Sequence, residues 1–534
     1  MIGHGRIEIA LSVIAAIFHC NCDVLSPLKP SETSIILTKT NKPHENSNFG
    51  CFTSYDNNFE EFLAETEYVV DKSLFIKEIL SCQKNILLIS TPPAFGKTTN
   101  LGMLQLFFEH PVKDDIVLKR EQSPGYGYFK YGRLKADNGQ HQFSEKPLIS
   151  RYDEILNEHL CNHPVIYLDF KPSDVIWYPE EIKLIERILC EKISREFKRH
   201  FYVRKYFIEL IGNSKIDMDV KQQAKTDWQK FELYALNRQL SWPDLSTSLR
   251  FLCQVLYRFF NRKVVILIDE MDFLVNHVQE RWIYKDEPCL KDQQNQVMGF
   301  LKDLINSTFH ENDFLLKTII MGNTLSCIDE LFSLDELSIH VSDGIENDFA
   351  EFFGFTESIS KKLLQISKVP DKVTAEAIEC YNGYKFHSIS NHSLLCPLDV
   401  ISVMQKKSIP STWVTKYLDD DLNQLIELEF MKSSMEVLMD GKSTEVAWSN
   451  VKFNRYDFIR IFNLINERIA RPSCNDTSLV LKRLYAEGYV TLAGVGYDIE
   501  QNKTYYRVKV ANRKMASLIE NALVLYEEHF LKGK

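Results

Sequence analysis

Ile86-Leu87-Leu88-Ile89-Ser90-Thr91-Pro92-Pro93-Ala94-Phe95-Gly96-Lys97-Thr98-Thr99 decides the reading of this chain. A short apolar run meets a glycine-lysine-threonine-threonine tetrad, and Leu101, Met103, Leu104, Leu106, Phe107 and Phe108 then recur at helical spacing. The order is strand, loop, helix. A polyphosphate site needs that order, because loop N–H groups and the helix N-terminus point at the phosphates while a lysine neutralises the terminal ones. Gly96, Lys97, Thr98 and Thr99 fit those positions. The first glycine usual in GxxxxGK[ST] is absent, and Thr91 stands in its place. A plainer reading makes Gly96-Lys97-Thr98 an ordinary turn into a helix capped by Thr98.

Working outward, the second informative stretch is Val264-Val265-Ile266-Leu267-Ile268-Asp269-Glu270, an apolar run that ends in two carboxylates. A parallel strand buried on both faces reads this way. Acids at its C-terminal end lie where open α/β sheets bind ligands. Asp269 is then placed to hold Mg²⁺, usually through water, and Glu270 to polarise the attacking water. The plainer alternative is a buried strand with solvated acids at its exit. Pro164-Val165-Ile166-Tyr167-Leu168-Asp169-Phe170 is a further expected strand, whose Asp169 is either near the site or a turn-forming acid before Lys171-Pro172-Ser173. Leu315–Met321 is another, and its exit Gly322-Asn323-Thr324 offers Asn323 or Thr324 as a polar sensor beside the γ-phosphate. A strand-end turn explains those residues equally well.

Taken together these stretches resemble the AAA-ATPase-like family of P-loop proteins. The likeness is carried by Tyr68-Val69-Val70-Asp71-Lys72-Ser73, Phe95-Gly96-Lys97-Thr98-Thr99-Asn100-Leu101, Pro164–Phe170, Ile268-Asp269-Glu270-Met271-Asp272 and Gly354-Phe355-Thr356, in the family's order over about residues 58 to 400. Tyr485-Ala486-Glu487-Gly488-Tyr489-Val490-Thr491 resembles the segment that in bacterial members precedes a PD-(D/E)XK nuclease-like domain. The chain ends soon after it, so DNA cleavage is not expected. Two departures stand out. Pro93-Ala94 occupies the place where the family usually has arginine, and Met271 the place of an aromatic residue between the two acids.

The resemblance implies an α/β P-loop NTPase with a mainly parallel sheet and flanking helices, followed by a helical lid-like region and a C-terminal winged-helix-like α+β module. The expected boundaries are a signal peptide at 1–22, a flexible leader at 23–57, the P-loop domain at 58–345, the lid-like region at 346–447 and the last module at 448–534. ATP and Mg²⁺ are the implied ligands. Gly96, Lys97, Thr98, Thr99 and Asn323 would hold phosphate, Thr98 and Asp269 the metal, and Glu270 and Lys97 would serve catalysis. The alternative is a degenerate P-loop protein that keeps the fold as a secreted binding or interaction scaffold without hydrolysis. No arginine finger is assignable, because geometry defines that role and another subunit can supply it.

Composition narrows the rest. At 534 residues, 45% apolar and 25% charged, the chain has room for several ordinary globular cores. A formal charge of −10 with no long basic run disfavours sequence-independent nucleic-acid binding, which rests on phosphate neutralisation. Arg6, the apolar Ile9–Phe18 and the small Cys20 and Cys22 have the form of a cleavable secretory signal, with a buried N-terminal helix as the alternative. No later segment approaches the ~20 apolar residues that span a bilayer. The expected location is therefore the secretory lumen or the exterior. The cysteines are dispersed without a CxxC pair, which speaks against zinc ribbons and leaves disulfide pairing open. Glycosylation sequons occur at Asn306, Asn391, Asn475 and Asn502.

Residues 58–81 have a helical pattern with an apolar face, and 110–160 reads as an insertion whose Pro124–Phe129 aromatics are more readily a packed loop than a base-stacking platform. Polar helices are expected near 179–200 and 217–236, and an apolar-periodic helix over 244–261. The tail is read as helix, β-hairpin and helix.

Overall fold

In the computed structural model, the described residues are 34–39, 58–136, 139–171, 182–236, 240–273, 276, 288–324, 328–332, 337–343, 347–387, 392–409, 420–446, 448, 452–466, 471–498 and 503–532. The proposed signal peptide, most of the leader, Cys20, Cys22, Cys51, Cys327 and the sequons at Asn391 and Asn502 lie outside them.

Five parallel strands form the central sheet: β1 (Ile86–Ser90), β2 (Val165–Asp169), β3 (Val264–Asp269), β4 (Leu315–Gly322) and β5 (Ile339–Ser342). Their order is β5-β1-β4-β3-β2, so β4 lies between the strand that leads into the glycine-lysine loop and the strand that ends in acids. Alternate side chains enter two cores. Leu88, Ile166, Ile266 and Ile320 face one, and Leu87, Val165, Leu267 and Ile319 face the other. Two-sided burial explains why these strands read as unbroken apolar runs. Each such side chain contributes about 1.5–3 kcal/mol when taken out of water.

Helix α1 (Lys97–Phe108) follows β1 and covers one face, burying Leu101, Leu104, Phe107 and Phe108. Helices α2 (Ile182–Arg199), α3 (Met218–Ala235), α4 (Trp242–Phe260) and α5 (Pro288–Phe309) supply the other core through Phe197, Phe231, Leu252 and Leu301. The Ser241/Asp244 capping box starts α4, and Asn261 in the left-handed region ends it. The helices expected near 179–200 and 217–236 exist, yet each buries residues in the core, Leu189, Ile193 and Phe197 from the first and Phe231 and Tyr234 from the second, and is more than a surface element.

Several elements depart from the sequence reading. Tyr68–Val70, inside the stretch read as helical, is a strand. It pairs with Ile35–Leu37, so five residues of the leader, Ile35–Lys39, belong to a strand. Local periodicity could not show this, because the partner lies far along the chain. Pro124–Tyr131 is a helix capped by Ser123, with Tyr126, Tyr128 and Phe129 buried. These rings are packed in the core as expected, but from a helix and not from the expected loop.

Residues 355–406 form three helices, Glu357–Ile366, Asp371–Tyr381 and Pro397–Lys406, around a small antiparallel sheet of Phe355–Thr356, Leu394–Leu395 and Asn382–Tyr384. The final α+β module contains α6 (Cys474–Ala486) and the hairpin Val490–Asp498/Lys503–Val510, to which Thr444–Val446 adds a third strand. Its core also takes in Leu422, Met431 and Met435 from the preceding residues. Among the described residues no helix is long and apolar enough to cross a membrane. Cys82, Cys161, Cys253, Cys380, Cys396 and Cys474 are free thiols, and burial pushes those of Cys161, Cys253 and Cys396 up to about 12. The sequon residues Asn306 and Asn475 both lie within helices.

Candidate functional site

Parallel register brings the strand exits together. Ser90 pairs with Gly322, and Asp169 pairs with Asp269, so the loop after β1, the acids of β3 and the 322–324 turn meet at the carboxyl edge of the sheet. That edge is the ligand side of an open α/β sheet.

The loop runs from Thr91 to Gly96. Ala94 and Gly96 both adopt left-handed backbone, at φ 68° and 86°. Nothing lies within 4 Å of the position a Cβ would take at Gly96, so the backbone there faces open space at the start of α1. Lys97 is 5% exposed, and its Nζ donates to Thr91 O (2.8 Å), Pro92 O (3.0 Å) and Asn323 Oδ1 (2.6 Å). All three ammonium donors are thereby matched by acceptors. Burial lowers the Lys97 pKa, and the charges of Glu270, Asp272, Asp269 and Glu487 oppose that shift.

Thr98 Oγ1 donates to Asp269 Oδ2 at 2.6 Å, which joins the loop to the acidic strand. Asp269 is 1% exposed, and burial, reinforced by Glu270 and Asp169, pushes its carboxyl up to about 7. Glu270 is half-buried, and its backbone N–H donates to Asp269 Oδ1 at 3.1 Å. At φ 52° it is a non-glycine residue in the left-handed region, a conformation that costs about 1–2 kcal/mol and concentrates at functional sites.

Asp272 carries a position that the sequence reading left without a role. Its Oδ2 accepts from Asn323 N (3.0 Å), Thr324 N (2.9 Å) and Thr324 Oγ1 (3.1 Å), so it fixes the turn that aims Asn323 at Lys97. Burial and the neighbouring Glu270 raise it to about 6. The signal available in sequence was the second acid of Asp269-Glu270-Met271-Asp272. Met271, between the acids, is buried in the core to which α2–α5 contribute, where a flexible thioether fits irregular space.

Of the expected residues, Gly96, Lys97, Thr98, Asp269, Glu270 and Asn323 come together. Thr99, in the first turn of α1, is half-buried. Asn323 touches the lysine, whereas Thr324 turns to Asp272; this resolves which of the pair faces the loop. Asp169 lies beside Asp269 and accepts from its own turn at Lys171 N (2.8 Å), so both readings of that acid apply. Asp71-Lys72-Ser73 is a structural tie. Asp71 Oδ2 accepts from Leu148 N (2.6 Å), Ser73 Oγ from Ile149 N (3.0 Å), and Lys72 Nζ donates to Glu351 O (2.7 Å).

The loop is also held from the C-terminal side. Phe95 packs edge-on against Tyr384 and Phe386 at ring distances of 4.9 and 4.8 Å, and Asn100 Nδ2 donates to Phe352 O at 3.0 Å. Pro92 abuts Gly488 of the final module, where a Cβ on the glycine would lie 3.0 Å from the proline Cβ.

The residues fit a metal-bound polyphosphate on the chemistry of the donor set. The charges of Asp269, Glu270 and Asp272 all act on one ammonium, and Asp269, raised mainly by burial and further by the neighbouring Glu270 and Asp169, lacks a full countercharge. Among the described residues no group of three or more His, Cys, Asp and Glu side chains forms a metal cage. A cation here would complete its shell with phosphate and water, the usual habit of Mg²⁺.

The fold and site together define an α/β protein with a glycine-lysine-threonine loop at the edge of a parallel sheet. Residues 56–118, which span that loop and α1, match the model of the AAA-ATPase-like family, described as a predicted AAA-ATPase. No curated protein matches the chain.

Proposed function

We propose that this chain is a P-loop protein that binds Mg²⁺–ATP and hydrolyses it. The observation that carries the reading is the joined pair Lys97–Asn323 and Thr98–Asp269, which sets a buried ammonium and a metal-type carboxylate at the mouth of one loop. Loop N–H groups and the α1 N-terminus receive phosphate oxygens, and Lys97 exchanges its carbonyl acceptors for the terminal phosphates. Thr98 and Asp269 hold the metal, which supplies charge neutralisation to the transferring phosphoryl group. Glu270 accepts the proton of the attacking water, and Asn323 keeps the lysine aligned.

In this reading the helices of 357–406 act as a lid and the final module is winged-helix-like. Location in the secretory lumen is likewise proposed, on residues 6–22 alone, and N-terminal sequencing of the native protein tests it. Intact Met1 refutes cleavage. The catalytic reading is tested by steady-state turnover of ATP with Glu270→Gln as control. Turnover lost in that variant with binding kept supports hydrolysis, whereas binding without any turnover in wild type establishes the non-hydrolysing scaffold, which the engaged donors of Lys97 and the left-handed Ala94 favour.

A further inference from the structure

Helix α6 ends against the loop. Its last turn closes with Glu487 N to Arg483 O (3.1 Å), Gly488 N to Tyr485 O (3.0 Å) and Tyr489 N to Leu484 O (2.8 Å), the pattern that terminates a helix on a left-handed glycine. Gly488, at φ 82°, is that residue, and it presses on Pro92. The carbonyl of Pro92 is in turn one of the three acceptors of Lys97 Nζ. Lysine, proline and the end of α6 thus form one continuous contact.

The residue before this glycine is Glu487, held by Arg483 Nη2 at 3.3 Å. Its carboxylate is one of the four whose charge acts on Lys97, and the only one of them contributed by the final module. The other three belong to the β3 exit. The carbonyl end of a helix is also its negative end, so α6 and Glu487 present the same sign of charge to the loop.

We propose that Glu487 is a further residue of the nucleotide site, a built-in anion that competes with phosphate for the loop and sets its affinity. The inference rests on the nucleotide reading given above. It makes docking of the final module and phosphate binding antagonistic, since each brings negative charge to the same lysine. By linkage, whatever draws the α6 end away from Pro92 raises nucleotide affinity, and nucleotide loosens the α6 contact by the same factor. Removing the carboxylate removes that repulsion from the lysine.

The test is calorimetric titration of Mg²⁺–ATP into the full chain, wild type against Glu487→Gln, at low and physiological salt. Glutamine keeps the size of the side chain at a partly exposed position, and Glu487→Ala repeats the measurement should the amide disturb the turn. The expected result is binding about three- to tenfold tighter in the variant at low salt, with the gain shrinking as salt rises. Binding seen only in the variant supports the proposal as well. Wild-type binding with an equal or weaker variant overturns the role of Glu487 and leaves the nucleotide reading intact. Absence of saturable binding in wild type and both variants overturns the two together.

Discussion

Asp269→Asn should stabilise the ligand-free protein while destroying its response to magnesium. Asp269 is almost fully buried, and burial lifts its carboxyl from 3.8 to about 7. An acid raised in this way holds a proton in the fold that the unfolded chain has released, so its contribution is full below about pH 4 and is lost as pH rises through about 7. At about 1.4 kcal/mol for each tenfold change, that interval caps the cost of the ionised form at about 4 kcal/mol. Asparagine removes the charge but not the whole cost. The carboxylate accepts from both Thr98 Oγ1 and Glu270 N, and an amide offers one oxygen, so the Thr98 hydroxyl must turn to accept from the new NH₂. A net gain of about 1–3 kcal/mol at pH 7.5 remains, after the usual value of one hydrogen bond is subtracted. Thermal melts of both proteins without ligand, at pH 7.5 and pH 5, measure it. The variant should melt higher at pH 7.5, and the difference should fade at pH 5, where the wild-type acid is itself protonated. An equal or lower melting point at pH 7.5 refutes the reasoning.

Other consequences are open to direct measurement. Glu270→Gln should keep nucleotide affinity within about threefold and lower turnover by about a hundredfold or more, as loss of a general base does; parallel binding and phosphate-release assays separate the two. Asp272→Ala should cost about 1–3 kcal/mol of stability by orphaning the buried N–H groups of Asn323 and Thr324. It should also weaken nucleotide binding, and unchanged affinity would show that the 322–324 turn does not need its anchor. Leu267→Ala, at a fully buried site in β3, should cost about 2–5 kcal/mol in a denaturant titration.

What sequence can reveal here follows from range. β1 and β3 were legible because two-faced burial leaves an unbroken apolar run, and the Gly96–Thr99 tetrad is contiguous. β5, by contrast, is a four-residue edge strand with only Ser342 buried, and its apolar-polar alternation, Ile339-His340-Val341-Ser342, is too short to mark it against the neighbouring loops. Ile35–Lys39 escaped for another reason: its identity as a strand depends on Tyr68–Val70 and on Gly139–Phe143, partners that only the fold supplies. Within the site, Lys97, Thr98, Asp269 and Glu270 lie in motifs whose spacing encodes their chemistry. Asp272 and Glu487 also lie in quoted motifs, but no spacing there tells what either does. The first acts through a turn about fifty residues away, and the second reaches the loop only because α6 happens to stop at Pro92.

The central claim is a phosphate site built on Lys97, and titration of a fluorescent ATP analogue into the purified chain, with and without Mg²⁺ and beside Lys97→Ala, tests it most directly. The account predicts micromolar, magnesium-dependent binding that the variant loses by about a hundredfold or more. Equal binding by both proteins, or none by wild type, would contradict it.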